Sequence, residues 1–316
     1  MPQVQSTIEA QALSCLEVWG GNEPVDTALR VPGLEVWVYA VPFENAAAGG
    51  DVHFVSSCGT GRIARLMVAD VAGHGEEVAE TARTLRSLIR RFMNHIDQRR
   101  FVASMNQAFT GLVQTGRFAT AVVMTYFSPA CELAVCNAGH PPPLIYRAKN
   151  RTWQYLDLQA ESAEMENIPL GILGDTAYEQ FKLRLDRGDM VLTYTDSLIE
   201  AECRDGSLLG AERLLEITRA VSTDEAAHVI HHLLAKLAVY GATFNDDVTL
   251  LLSRCTGRSR GAGFLRRLGA QCKFIGQVLT LRPNMPWPEW SVRNVGGAIV
   301  PALAKGRRGN RRNTKY

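Results

Sequence analysis

The seven cysteines include no C-x-x-C pair and are odd in number, which removes a disulfide framework and a zinc ribbon from consideration. No stretch of about 18 apolar residues occurs, as a spanning helix would need. Residues 1–10 lack the basic flank and apolar segment of an export signal. The expectation is a cytoplasmic protein in a reducing compartment. Apolar residues themselves are not short: 46% of 316 positions suffices to bury the core of one large or two modest domains, which excludes disorder throughout. No internal repeat is present.

Acidic residues are scarce in one region only. Residues 257–316 carry 13 Lys and Arg against a single acid, Glu289, while residues 1–256 hold 21 bases and 31 acids. The net charge of +2 therefore hides an acidic body with a basic tail. Pro283, Pro286, Pro288 and Pro301 interrupt any long helix in that tail, so a partly disordered appendage is expected. Contact of its basic and apolar mixture with nucleic acid or a membrane surface is conceivable but not favoured.

Hydropathy alternation predicts strands at Leu34–Val41, Val52–Val55, Ile63–Ala69, Ala119–Phe127, Cys131–Cys136, Leu144–Tyr146, Phe181–Leu185, Met190–Tyr194 and Val248–Leu252. Asp186-Arg187-Gly188-Asp189 reads as a hairpin turn between two of them. Helical spacing is expected around Ala10–Val18, over Val78–Phe92, at Phe101–Leu112, at Ala211–Val221 and at Asp224–Tyr240. Strand runs with helix pairs between them indicate an α+β layered domain rather than a doubly wound parallel sheet.

Three of the strands meet aspartate at their ends: Ile63–Ala69 runs into Asp70, Met190–Tyr194 runs toward Asp196, and Asp246-Asp247 precedes Val248. Strand ends form a rim, and carboxylates gathered on a rim make an oxygen-rich site for Mg²⁺ or Mn²⁺. The plainer role of any single such Asp is to cap a helix or hold a turn.

Taken in order, Gly49-Gly50-Asp51, Asp70-Val71-Ala72-Gly73-His74-Gly75, Asn137-Ala138-Gly139-His140-Pro141-Pro142, Pro169-Leu170-Gly171, Tyr194-Thr195-Asp196 and Asp246-Asp247-Val248-Thr249 form a series. This series closely resembles the SpoIIE/RsbU branch of the metal-dependent, protein phosphatase 2C-like (PPM) superfamily, over roughly residues 35–254. The resemblance implies a four-layer α-β-β-α sandwich of two antiparallel sheets flanked by helices. It implies two Mn²⁺ or Mg²⁺ ions bridged by Asp70, with the Val71 carbonyl as a further ligand, Asp196 and Asp246 holding one ion, and Asp51 binding or orienting metal-bound water. Asp247 is the less favoured member of its pair. Attack of a metal-bridging hydroxide on phosphoserine or phosphothreonine would follow. The implied substrate is a STAS-type anti-sigma-factor antagonist in a bacterial partner-switching pathway.

His74 could protonate the departing oxygen or simply brace its glycine-flanked turn. His140 is expected to be structural. His228, His231 and His232 have metal-ligand spacing on one helix but no Glu or Cys partner, so they are left out of the site. Ser197 follows Asp196 where relatives carry glycine; if positive φ is required there, serine would strain the position by about 1–2 kcal/mol. That departure keeps open an alternative, a catalytically silent module that binds a regulatory partner, and a weaker third reading is a phosphatase for small phosphoesters. The domain expectation is an extension at 1–30, the phosphatase domain at 31–256 and the tail at 257–316. With about 30 residues ahead of the domain, input is expected from a separate upstream regulator, the tail or self-association.

Overall fold

A computed structural model describes residues 10–13, 17–57, 62–73, 76–92, 95, 97–112, 117–156 and 167–258. The expected basic tail beyond residue 258 lies outside them. The strands are β1 (Gln11–Ala12), β2 (Val18–Gly21), β3 (Val25–Val31), β4 (Leu34–Val41), β5 (Asp51–Ser57), β6 (Ile63–Val71), β7 (Ala119–Phe127), β8 (Glu132–Ala138), β9 (Leu144–Arg147), β10 (Thr152–Tyr155), β11 (Phe181–Arg184), β12 (Met190–Tyr194) and β13 (Val248–Cys255). The helices are α1 (Glu76–Phe92), α2 (Gln98–Leu112), α3 (Gly210–Arg219) and α4 (Val229–Val239). One sheet runs β1-β3-β4-β13-β12-β9-β10 and the other β11-β8-β7-β6-β5-β2. All pairings are antiparallel except β1 with β3.

Three apolar layers explain the stacking. Val36, Val38, Leu66, Val68, Val122, Met124, Val191 and Leu251 fill the space between the sheets. Met67, Ala69 and Val123 turn the other way, onto Leu85 and Ile89 of α1 and Phe101 and Phe109 of α2. Trp37, Leu192, Leu250 and Leu252 do the same toward Leu214 of α3 and Leu233 of α4. Side chains alternate along a strand, so central strands flanked on both faces must be apolar at nearly every position, as β6, β7, β12 and β13 are. Each large side chain buried this way contributes roughly 1.5–3 kcal/mol. The result is the expected α-β-β-α sandwich.

Two expectations fail in instructive ways. Within the Ala10–Val18 stretch, expected to be helical, Gln11–Ala12 form β1 and Val18 opens β2, while residues 14–16 lie outside the described residues; β1–β3 extend both sheets into what was read as an N-terminal extension. The boundary expected at residue 31 falls within the β3–β4 hairpin. Nor do β11 and β12 form a hairpin. β11 pairs with β8 in one sheet and β12 with β9 and β13 in the other, so Asp186–Asp189 is a crossover between sheets. Asp189, 1% exposed, holds that crossover by accepting from the Ala148 amide (2.9 Å), the Arg147 guanidinium (2.8 Å) and the Asp186 amide (3.1 Å).

Candidate metal centre

Alternation on β6 decides where Asp70 points. Ala64, Leu66 and Val68 enter the inter-sheet core, whereas Met67, Ala69 and Val71 face the helices, so Asp70 continues the inter-sheet row. On β5, Val52 and Phe54 face the helices and Val55 faces inward, which puts Asp51 on the same side. Asp51 and Asp70 are direct cross-strand partners. Like charges in that arrangement repel, and few folds tolerate them without a counter-charge.

From the opposite sheet come the remaining acids. Asp196 opens a 3-10 turn just after β12, its backbone carbonyl accepting from Ile199 (2.8 Å) and Glu200 (2.9 Å). Asp246 precedes β13 and is exposed. Burial, then the charges of Asp196, Asp246, Asp247 and Glu200, push the Asp70 carboxyl up to about 7. Burial and the neighbouring Asp70 drive Asp51 well above the usual carboxylate range, against the opposing pull of the Thr195 hydroxyl bonded to it and the Thr249 hydroxyl nearby. Burial and Glu200 raise Asp196 as well. Val71 closes β6 with its carbonyl beside Gly50. Asp70 thus lies within electrostatic range of Asp51, Asp196 and Asp246, with the Val71 carbonyl next along its strand.

Asp247 has a different task. Its carboxylate accepts from the backbone amides of Phe43 (2.7 Å), Gly50 (2.5 Å) and Asp51 (3.2 Å), pinning the β4–β5 loop. A Cβ on Gly49 would overlap that carboxylate, and one on Gly50 would press on Val78, which accounts for the paired glycines ahead of Asp51. Buried Asn22 secures the same loop from β2's end, its side-chain amide donating to the Gly49 carbonyl (2.9 Å) and its backbone carbonyl accepting from the Gly49 amide (2.9 Å).

His140 is structural, as expected. The Asn137 side chain accepts from the His140 amide (2.7 Å) and donates to its carbonyl (2.8 Å), while the ring Nδ1 pairs with Thr120 Oγ1 (2.8 Å). Burial pushes the ring down to about 3, so it is neutral. Thr120 is the β7 partner of Asp70, which places this imidazole one residue behind the rim. His74 lies outside the described residues. His231 pairs with Asp26 of β3 (2.8 Å) and His228 with Glu225 (3.0 Å).

Sequence reasoning missed the hydroxyl and acid neighbours. Thr195 donates to Asp51 across the sheets (2.9 Å), Thr249 also faces Asp51, and Glu200 adds charge behind Asp196. Thr195 and Thr249 stood inside the motifs, but only sheet packing shows what they touch. The feared strain at Ser197 is absent: it lies within the 3-10 turn Asp196–Leu198 and is not among the positive-φ residues.

The donor set suits a hard divalent cation, being all oxygen and rich in uncompensated negative charge. Among the described residues, no three His, Cys, Asp or Glu side chains close into a ready-made coordination shell. The carboxylates face one another at electrostatic range.

The family model of Stage II sporulation protein E (SpoIIE) matches residues 60–256. The phosphoserine phosphatase RsbU of Bacillus subtilis (strain 168) is 26% identical over 259 residues, covering 80% of this chain and 71% of that protein. The structure of the RsbU and RsbW domains of a Mycobacterium tuberculosis protein aligns at 25% identity and a TM-score of 0.61, over 81% of this chain and 72% of that one. RsbX, solved in complex with magnesium, shares the fold at 17% identity and a TM-score of 0.53, over 73% of this chain and 100% of its own. No helix among the described residues is long and apolar enough to cross a membrane.

Proposed function

The chain belongs to the SpoIIE family of protein serine/threonine phosphatases, and from that premise we propose that its inter-sheet mouth is a two-cation centre acting on a phosphorylated regulatory protein. In this reading Asp70, the Val71 carbonyl, Asp196 and Asp246 would hold two Mn²⁺ or Mg²⁺ ions, with Asp70 shared between them, and Asp51 would bind or orient a metal-held water. The ions would supply a bridging hydroxide near neutral pH and neutralise the phosphoryl oxygens during in-line attack. A sparse protein shell suits Mg²⁺, which keeps several of its own waters.

The chain's own residues do the rest. Asp247 and Asn22 fix the loop that presents Asp51, and His140, held by Asn137, backs the strand partner of Asp70. His74, next in sequence to Gly73, is the candidate acid for the leaving oxygen. The observation that carries the reading is the direct opposition of Asp51 and Asp70, two buried or half-buried acids whose repulsion a bridging cation would relieve.

The substrate we assign is phosphoserine or phosphothreonine on a STAS-type anti-sigma-factor antagonist, with the phosphatase itself governed by a separate regulator and working in the cytoplasm. Relatedness to the phosphoserine phosphatase RsbU and to the structure of RsbU and RsbW domains supports the phosphoserine part of this reading. The test is Mn²⁺-dependent phosphate release from such a phosphoprotein by wild type, Asp70→Asn and Asp196→Asn. Both variants should lose hydrolysis while circular dichroism stays native; full activity in both would overturn the mechanism. Release from p-nitrophenyl phosphate but from no phosphoprotein would favour a small-ester phosphatase instead. The silent-module alternative rested on strain at Ser197, and that motive is gone.

A further inference from the structure

We propose that Thr195 and Ser197 are positioning residues: a hydroxyl clamp, built on one sheet, that fixes the Asp51 carboxylate of the other sheet for its cation. The inference rests on the assignment of Asp51 to the metal centre. Thr195 is 1% exposed and Ser197 4% exposed, so neither hydroxyl is there for solvent.

A threonine hydroxyl has one proton to give and two lone pairs to fill. Around Thr195 Oγ1 the structure supplies the Thr249 backbone amide as donor (3.0 Å), the Ser197 hydroxyl at 3.3 Å, and the Asp51 carboxylate oxygen Oδ2 as acceptor (2.9 Å). The competing acceptors for the Thr195 proton, the Ser197 hydroxyl oxygen at 3.3 Å and the Thr249 carbonyl at 3.5 Å, both lie farther away than the Asp51 carboxylate. With the amide and the serine O–H donating inward, both lone pairs are occupied and the single proton is committed to Asp51. Donation into an oxygen strengthens the bond that oxygen donates onward, so the serine acts on Asp51 through the threonine.

Nothing else in the turn calls for a serine hydroxyl. Ser197 has right-handed helical backbone inside the 3-10 turn, and the turn's N-cap makes no side-chain hydrogen bond to it. Among the described residues, the Ser197 hydroxyl pairs with Thr195. Because Thr195 directly precedes Asp196, the clamp also ties the position of Asp51 on β5 to that of Asp196 after β12. Two acids on different sheets are thereby held in one geometry. Outer partners of this kind typically change metal affinity by 10–100-fold.

Mn²⁺ titration calorimetry and metal-free thermal melts on the full chain test the clamp, using Thr195→Val, Thr195→Ser, Ser197→Ala and Asp51→Asn. Thr195→Val should weaken Mn²⁺ binding by about 10–100-fold, Ser197→Ala by a smaller factor, and Thr195→Ser should restore near-native affinity. The Mn²⁺ concentration for half-maximal activity should move in parallel while KM for the phosphoprotein stays put, a split that a loss of packing alone would not produce. If Thr195→Val and Ser197→Ala bind Mn²⁺ as wild type does, or Thr195→Ser loses as much as Thr195→Val, the clamp is wrong. Ser197→Ala keeps the question open to decision should the valine variant fold poorly. Asp51→Asn separates the two levels: unchanged Mn²⁺ affinity there overturns the metal assignment of Asp51 and the clamp together, whereas a loss there with none in the hydroxyl variants overturns the clamp alone.

Discussion

Asp51 and Asp70 stand directly opposite each other on β5 and β6, on the face turned toward the second sheet. The pairing is set by strand register, so neither acid can retreat without breaking the ladder. Its energetic signature is the raised proton affinity of both groups.

That signature fixes a pH dependence. A carboxyl whose pKa is higher folded than unfolded adds stability below its unfolded value and loses it as pH rises through its folded value. For Asp70 the window runs from its ordinary 3.8 to about 7. Buried His53 and His140 act oppositely, pushed by burial down to about 4 and about 3, and cost stability as pH falls below 6.5. Comparing variants cancels the histidines. Metal-free Asp70→Asn should exceed wild type by on the order of 2 kcal/mol at pH 8, with the difference gone near pH 4. Added Mn²⁺ should reverse the order, as read by urea melts.

Asp246 and Asp247 should separate cleanly. Asp247→Ala strands three backbone amides of the β4–β5 loop and should cost about 3 kcal/mol in stability. Asp246→Ala, at an exposed position, loses one bond from the Asp247 amide (2.7 Å) and should cost less than about 1 kcal/mol, yet lower Mn²⁺ affinity in calorimetry. Equal destabilisation by both would contradict the division of labour.

Glu200 supplies charge rather than contact. Glu200→Gln should lower the proton affinity of Asp196 and Asp70 and weaken Mn²⁺ binding by less than about tenfold, since a solvent-screened charge contributes little. A loss as large as that of Asp196→Asn would make Glu200 a ligand.

His140 should stay neutral across the working range. Imidazole NMR shifts should show no titration of its ring down to about pH 4, so no limb of the activity profile near pH 6.5 belongs to it. Asn137→Ala removes both bonds that brace the His140 backbone and should cost about 2 kcal/mol.

Much of the architecture was open to a reader of the chain alone. β4, β7 and β12 coincide with their expected spans because central strands packed on both faces write a largely apolar run, interrupted here only by Glu35, Thr120, Thr125 and Thr193. β3 escaped notice, with Asp26, Thr27 and Arg30 breaking its apolar pattern near the sheet's margin. The β11–β12 hairpin was misjudged because a turn-rich tetrapeptide looks the same whether its strands pair or part. Only partners supplied by β8, β9 and β13 separate them.

The aspartates divide along the same line. Local sequence determined that Asp51, Asp70, Asp196 and Asp246 sit at or near strand ends in an ordered set of motifs, since strand boundaries depend on hydropathy over a few neighbouring residues. Which acid faces which, that Asp247 holds a loop instead, and that Thr195 reaches Asp51 were decided by tertiary structure alone. The physical reason is separation: Thr195 and Asp51 lie 144 residues apart, and Asp247 and Gly50 lie 197 apart. Contacts at such range exist only once the two sheets have packed face to face.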